Sequence, residues 1–165
     1  MERTWTVIHG IITLGILFGA YLVFHGYMVS APTQDAQTPY VSSELQYVDV
    51  MLGDTVVRAE IADTPERRQT GLSGRRYLEE GDGMLFVFDR PDHYAFWMPD
   101  MYISLDIIWF DSSFTVITIA EDVTPESYPE AFMPDAPAQY VLEVPAGFSR
   151  KHGIAPGLVA VLSTL

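Results

Sequence analysis

The sequence predicts a mainly β domain with a minor α+β character: an antiparallel, barrel- or sandwich-like sheet with two short helices, preceded by one transmembrane helix. Two observations support this prediction. The first is an uncharged apolar run at residues 5–29. The second is a succession of short apolar stretches in residues 44–165, separated by Gly, Pro, Asp and Ser. Many short strands with few helices are typical of barrels and sandwiches.

The apolar run at residues 5–29 is the candidate membrane anchor. It contains no Asp, Glu, Lys or Arg, and a helix of roughly 20 apolar residues crosses a bilayer. Arg3 precedes the run, and no Lys or Arg follows before Arg58. Because positive residues stay on the cytoplasmic side, we expect a single pass with the N-terminus inside. A signal peptide cleaved after Ala31 is the alternative.

The anchor divides the chain into three segments. Residues 1–29 form the transmembrane anchor. Residues 30–43 are polar and contain prolines, which predicts a flexible linker. Residues 44–165 carry the strand pattern and form a β-rich domain, which we expect in the periplasm or at the cell exterior.

A hairpin and a short helix open this domain. Gly53-Asp54 is a two-residue turn signal between strands predicted at 45–52 and 55–62. Thr64 is a good helix cap, and Gly71 is a plausible end for the helix that follows it.

The remaining elements are marked by apolar runs and by breaker residues. Strands are predicted at residues 84–88, 94–98, 104–110, 114–121, 139–144 and 158–163. Residues 122–138 are rich in proline and acids, which predicts a long exposed loop. A second short helix is predicted at residues 145–152, before Gly153.

Composition excludes several classes of function. The net charge of −13 argues against a nucleic-acid partner, because phosphate contacts require a basic surface. Cysteine is absent, which excludes disulfides, thiolate chemistry and Cys-type zinc sites. Only His93 and His152 lie outside the anchor, so no metal site is predicted, and no cofactor is predicted either.

Several sequence blocks occur in an order that carries a family resemblance. They are Ala62–Leu72, Arg75-Arg76-x-Leu78, Gly83–Phe88, Phe96-Trp97-Met98, Leu105–Ile108, Tyr140–Glu143, Ala146-Gly147 and Gly153–Gly157. Over about residues 48–161 the chain resembles the domain of unknown function 192 family. The resemblance implies a small β-rich domain, often exported or membrane-tethered, whose biochemical activity is not established. After Phe-Trp-Met the family usually has a basic residue, Asn and Thr, where this chain has Pro99-Asp100-Met101.

Asp106 is the first candidate site residue. It lies in the apolar stretch SLDIIWF, residues 104–110, and both faces of this predicted strand look at least half buried. A buried carboxylate needs a partner or a proton. Arg75 and Arg76 are candidate partners, because arginine makes two-pronged bonds to carboxylates. Asp106 is therefore either a structural lock, bonded to arginine or backbone, or a base or ligand anchor in a pocket.

Glu143 is the second candidate, in the apolar stretch QYVLEV, residues 139–144. With Asp106 it could form a paired-carboxylate site of the kind that hydrolyses glycosides. Such a site requires a defined separation and an open cleft. The alternative is that Glu143 lies on the solvated face of its strand or pairs with Arg150.

Trp97 and Met98 are the third candidates, on opposite faces of the strand predicted at 94–98. If Trp97 lies beside Asp106 and an arginine, the result is an apolar pocket with few polar groups, which is the usual form of a small-molecule site. Met98 and Met101 with His93 also match a Cu(I) site crudely. Methionine near aromatic residues is more often core packing.

Three functions remain open. The first is a non-enzymatic, membrane-anchored extracytoplasmic module that binds a small molecule, glycan or envelope partner. Its predicted ligand-binding residues are Arg75, Arg76, Trp97, Met98, Asp106 and Glu143. The second is an envelope-polymer hydrolase that uses Asp106 and Glu143. The third is a structural or assembly subunit of a membrane complex, contacted through residues 122–138 or through the glycines of the predicted transmembrane helix. The lack of a complete catalytic set favours the first.

Overall fold

A computed structural model describes residues 46–163 of the chain. The predicted anchor and linker, residues 1–43, lie outside the described residues. Within residues 46–163, no helix has the length and apolar character that a membrane span needs.

The part of the chain that the structure describes contains seven strands and two short helices. The strands are β1 Tyr47–Leu52, β2 Thr55–Ala62, β3 Asp82–Asp92, β4 Leu105–Phe110, β5 Val116–Val123, β6 Ala138–Pro145 and β7 Ala160–Ser163. The helices are α1 Pro65–Thr70 and α2 Phe148–His152, with a 3₁₀ turn at Pro125–Ser127. One sheet holds the strands in the order β5-β4-β6-β3-β2-β1-β7. The prediction of a mainly β domain with two short helices is confirmed.

The prediction of a fully antiparallel sheet is wrong at one position. Strands β2 and β3 are parallel, with Glu60 opposite Met84 and Ala62 opposite Phe86. The chain returns between them through residues 63–81, which contain α1. A parallel pair requires such a crossover, and the two-residue turn signals in the sequence describe only antiparallel neighbours.

The prediction of a strand at residues 94–98 is also wrong. Only Phe96 makes a bridge there, to Phe132. The segment instead lies across the sheet, where the indole N–H of Trp109 donates to the carbonyl of Tyr94 at 3.0 Å. Met98 is buried and Phe96 is partly buried against the sheet, and such a cover has the same apolar pattern as a short strand.

Backbone hydrogen bonds near the starts of β5 and β7 curl the sheet into a half-barrel. The Val116 amide donates to the Leu158 carbonyl, the Gly157 amide to the Val116 carbonyl and the Ala160 amide to the Phe114 carbonyl, each at 2.8 Å. Inside the curve lies an apolar core drawn from all seven strands. It includes Val50, Val57, Leu85, Ile108, Val116, Leu142 and Ala160.

A second apolar core covers the outer face of the sheet. It includes Leu72, Met84, Phe86, Met98, Ile107, Trp109 and Val141. Because β4 has a core on each face, all six of its residues are buried. The chain segments that cover the outer face are the end of α1 and residues 94–98, and the candidate site lies where these segments meet the sheet.

Candidate functional site

A cavity of about 400 Å³ opens on the outer face of the sheet. Residues within 68–73, at the end of α1, line one part of it, and residues within 95–99 line another. The sheet contributes Phe86 of β3 and Glu143 of β6. The volume lies in the range of roughly 300–1,000 Å³ that is common for small-molecule sites.

Local sequence signals place the end of α1 at this cavity. The Thr64 hydroxyl caps the helix by accepting a hydrogen bond from the Arg67 amide at 3.2 Å. Gly71 ends it with a φ of 51°, and the Gly71 amide donates to the Arg67 carbonyl at 2.8 Å. A side chain is strained at that φ, and a Cβ at Gly71 would lie 3.4 Å from the Phe86 ring. Glycine therefore lets the helix end directly against Phe86.

Aromatic contacts hold the opposite lining segment in place. The Phe96 ring meets Phe86 edge-on with ring centres 4.8 Å apart, and it meets Trp109 in the same manner at 5.9 Å. The backbone of Phe96 exchanges two hydrogen bonds with Phe132, at 2.9 and 2.8 Å. These contacts fix Phe96 and leave the next side chain, Trp97, 51% exposed in the cavity lining.

Two hydrogen bonds join the segments that cover the sheet. The Ser73 hydroxyl donates to the Pro99 carbonyl at 3.1 Å, and the Gly74 amide donates to the Asp100 carbonyl at 2.9 Å. Pro99 lines the cavity. The Pro99-Asp100-Met101 turn, where the chain departs from the family pattern, therefore shapes one edge of the site.

Arg68 contributes a positive charge to the cavity lining. Its guanidinium group donates to the carbonyls of Asp63 and Val87, each at 2.7 Å. It also lies 5.1 Å from the centre of the Phe88 ring. Backbone acceptors and an aromatic face thus hold the Arg68 side chain in a defined position.

Glu143 is the buried acid of the cavity. On β6 it lies opposite Met84 of β3 on one side and Ile107 of β4 on the other. It is 6% exposed, and no donor within residues 46–163 makes a hydrogen bond to its carboxyl group. Burial raises the pKa of Glu143 to about 8. The carboxyl group is therefore mostly protonated at neutral pH and can donate a hydrogen bond.

Asp106 is fully buried, and it is bonded to backbone amides. Its carboxyl oxygens accept hydrogen bonds from the amides of Asp122 at 2.9 Å, Gly147 at 3.0 Å and Ser149 at 2.8 Å. Opposite Asp106 the pairing of β4 with β5 shifts, as a β-bulge does. Of the two roles that the sequence allowed for Asp106, the structure therefore supports the structural one, in which the carboxyl group is bonded to the backbone.

The proposed pairing of Asp106 with Glu143 is wrong. Asp106 lies opposite Val144, and Ile107 lies opposite Glu143. Because successive residues of a strand point to opposite faces, the two carboxyl groups lie on opposite faces of the sheet. The hydrolase that would use both acids therefore has no site here.

The expected arginine partners of Asp106 are bonded elsewhere. Arg75 forms an ion pair with the buried Glu60. The Arg76 guanidinium group lies 4.4 Å from the centre of the Tyr102 ring. Neither arginine lines the cavity.

The structure brings together two of the six predicted ligand-binding residues, Trp97 and Glu143. Met98 is 2% exposed and belongs to the outer core. The Met98 thioether is therefore not accessible to Cu(I), which argues against the Cu(I) site. Among residues 46–163, no group of three or more His, Asp or Glu side chains is arranged to hold a metal ion.

Sequence reasoning missed the lining supplied by α1 and by Phe86. Gly71 marked the end of the helix, but nothing local shows that the helix ends against β3. That placement follows from the parallel crossover, which was not predicted. Glu60 was also missed, because its apolar neighbours in β2 resemble those of any half-buried strand.

Comparison with known proteins finds one matching family model and two similar solved structures. Residues 48–161 match the model of the DUF192 family, described as "Uncharacterized ACR". The crystal structure of a candidate transcription regulator from Sinorhizobium meliloti 1021 is 30% identical, with a TM-score of 0.66, over 73% of this chain and 95% of that chain. A protein of unknown function from Novosphingobium aromaticivorans DSM 12444 is 34% identical, with a TM-score of 0.67, over 74% and 89%. The search of curated proteins finds no match.

We predict that Asp106→Asn destabilises the fold by about 2–4 kcal/mol. The amide side chain keeps one acceptor oxygen and turns an NH₂ group toward backbone donors, which leaves buried amides unpaired. Chemical denaturation of the full chain measures the change. Asp100→Asn is the matched control, because Asp100 is exposed at a φ of 54° that asparagine tolerates. Equal stability of the two variants would contradict the structural role of the Asp106 carboxyl group.

We also predict that Glu143→Gln changes how stability depends on pH. The native state keeps a proton on Glu143 that the unfolded chain releases near pH 4.5, so native stability falls as pH rises from about 4.5 to about 8. The stability of the Glu143→Gln variant does not fall in this way, because glutamine does not ionise. Its stability relative to the native chain should therefore increase by up to about 1.4 kcal/mol per pH unit within that window.

Denaturation curves at pH 4.5, 6 and 8 test this prediction. Glu79→Gln is the control, since Glu79 is exposed and its substitution should leave the pH dependence unchanged. A Glu143→Gln curve parallel to the native one across this window would show that Glu143 ionises normally.

Proposed function

The chain belongs to the DUF192 family, whose description assigns no activity, so we propose its function from the geometry of the Glu143 cavity. The domain is a non-enzymatic module that binds a small molecule in this cavity. The segment at residues 1–29 holds the module on the outer side of the cytoplasmic membrane. A glycan fragment or a group of an envelope partner could occupy the same cavity.

One observation carries the binding proposal. An open, aromatic-lined cavity contains a buried carboxyl group that has no hydrogen-bond partner among residues 46–163. Glu143 lines this open cavity, so its carboxyl group is within reach of a bound ligand. A ligand group would supply the missing partner. Apolar pockets with few polar groups and a perturbed pKa are characteristic of ligand sites.

The sequence supports the membrane location. Residues 5–29 lack charged side chains, and the nearest basic residue lies on the N-terminal side, at Arg3. This distribution favours a cytoplasmic N-terminus and an external domain.

The described function of one structural relative is not transferred to this chain. The Sinorhizobium meliloti protein is named as a candidate transcription regulator. The net charge of −13 on the present chain opposes contact with a phosphate backbone. The assembly role through residues 122–138 has no support from the cavity, and it is not part of the proposal.

We predict that Trp97→Ala lowers the affinity for a cavity ligand by about tenfold, because stacking on an aromatic ring contributes about 0.5–1.5 kcal/mol beyond the buried area. A thermal-shift screen of the full chain in nonionic detergent identifies ligands, and titration gives the affinities. Tyr77→Ala is the matched control, since Tyr77 is 74% exposed and does not line the cavity. A screen in which every ligand binds Trp97→Ala and the native chain equally would rule out this site.

We predict that the full chain fractionates with the cytoplasmic membrane and that protease added to intact spheroplasts degrades residues 44–165. A variant that lacks residues 1–29 should remain soluble inside and protected. Immunoblotting against the C-terminal domain measures both. If the full chain is cleaved only after lysis, the domain faces the cytoplasm and this part of the proposal fails.

A further inference from the structure

The side chains around the Glu143 cavity also define the chemistry of its ligand. We infer that the cavity selects an uncharged acetamido sugar, with an apolar face of the sugar ring on Trp97 and the amide carbonyl oxygen on the Glu143 carboxyl group. This inference rests on the proposed small-molecule function and adds the class of ligand.

Arg68 in the cavity lining disfavours a cation, and the overall charge of the chain opposes an anion at longer range. Arg68 is the positive residue of the lining, and its position is fixed by the Asp63 and Val87 carbonyls. It repels a cation. Arg68 Nη1 already donates to those two carbonyls, and the net charge of −13 on the chain opposes the approach of an anion at longer range. An uncharged ligand meets neither penalty.

Glu143 provides a donor that needs an acceptor. It is faced across the sheet by the apolar Met84 and Ile107. Glu60 lies beyond Met84 in the same row, and its charge is paired with Arg75. Apart from Arg68, therefore, the groups that face Glu143 do not favour its ionisation. Glu143 lines the cavity, and a pKa of about 8 leaves an O–H group there at neutral pH, for which an amide carbonyl is a strong acceptor.

The remaining lining fits a ring with one apolar and one polar side. The aromatic residues Phe86, Phe96 and Trp97 line the cavity together with the polar residues Gln69 and Thr70 at the end of α1. Sugar rings combine an apolar face with hydroxyl groups at the edge. The acetamido substituent adds a carbonyl oxygen and a methyl group, which match the Glu143 donor and the adjoining aromatic rings.

Three probes with the same ring test the inference: N-acetylglucosamine, which is uncharged, glucosamine, which is cationic, and glucuronate, which is anionic. Titration calorimetry of the full chain in nonionic detergent at pH 6.5 should show N-acetylglucosamine binding at least tenfold more tightly than either charged sugar. Above pH 8 its affinity should fall by about tenfold per pH unit, because the carboxyl group loses the proton that it donates.

Two variants separate a donor from a negative charge at position 143. Glu143→Gln keeps an N–H donor, so affinity for N-acetylglucosamine should fall only a few-fold and its dependence on pH should disappear. Glu143→Leu removes the donor, and affinity should fall at least tenfold. If Glu143→Leu does not fold, the pH profiles of the native chain and Glu143→Gln decide the question alone. Tighter binding of glucosamine that Glu143→Gln abolishes would overturn the inference in favour of a cation.

Failure of the inference differs from failure of the proposed function. If none of the three sugars binds, or if glucuronate binds most tightly, the acetamido-sugar inference is overturned. The proposed function still stands if another compound in the thermal-shift screen binds in a manner that depends on Trp97. It fails only when no compound does so.

Discussion

The buried carboxyl group of Asp106 is the interaction on which the fold depends. It accepts amide hydrogen bonds from Asp122 in the bulged part of β5, from Gly147 before α2 and from Ser149 within α2. The Ser149 amide is buried, and without Asp106 it would lie unpaired at a cost of about 1–3 kcal/mol. One side chain of β4 therefore joins β5 and α2 at the same end of the half-barrel. The outer face of β4 and β6, which carries Ile107 and Glu143, is held in position as a result.

The two faces of the sheet are closed in different ways. The curve of the sheet encloses the inner core, and strands contribute most of its side chains. The outer core has no second sheet and is covered by the end of α1 and by residues 94–98. These segments meet through the Ser73 hydroxyl and the Gly74 amide, and they leave Glu143 at the bottom of an open cavity. The cavity thus forms because two separate chain segments cover the outer core.

The two buried acids of β4 and β6 have opposite roles because their surroundings differ. Asp106 is bonded to backbone donors, and its role is structural. Glu143 is surrounded by apolar side chains, with an opening beside it, and burial raises its pKa to about 8. Functional sites often contain a buried acid with a raised pKa beside a cavity, and Glu143 is the described residue that has both features. The two similar solved structures share the fold, so the lining residues of this cavity are the positions to compare with them.

Features that depend on neighbouring residues could be predicted from the amino-acid order alone. The hairpin at Gly53-Asp54, the Thr64 cap, the apolar strands and the candidate acids were all readable, because turns, caps and alternation act over a few residues. Tertiary structure decided the parallel β2–β3 pair, the cover at residues 94–98 and the partners of Asp106, which lie 16, 41 and 43 residues away. It also decided that Asp106 and Glu143 face opposite sides. Alternation sets which residues of one strand share a face, but only the register between strands sets which residues of two strands do.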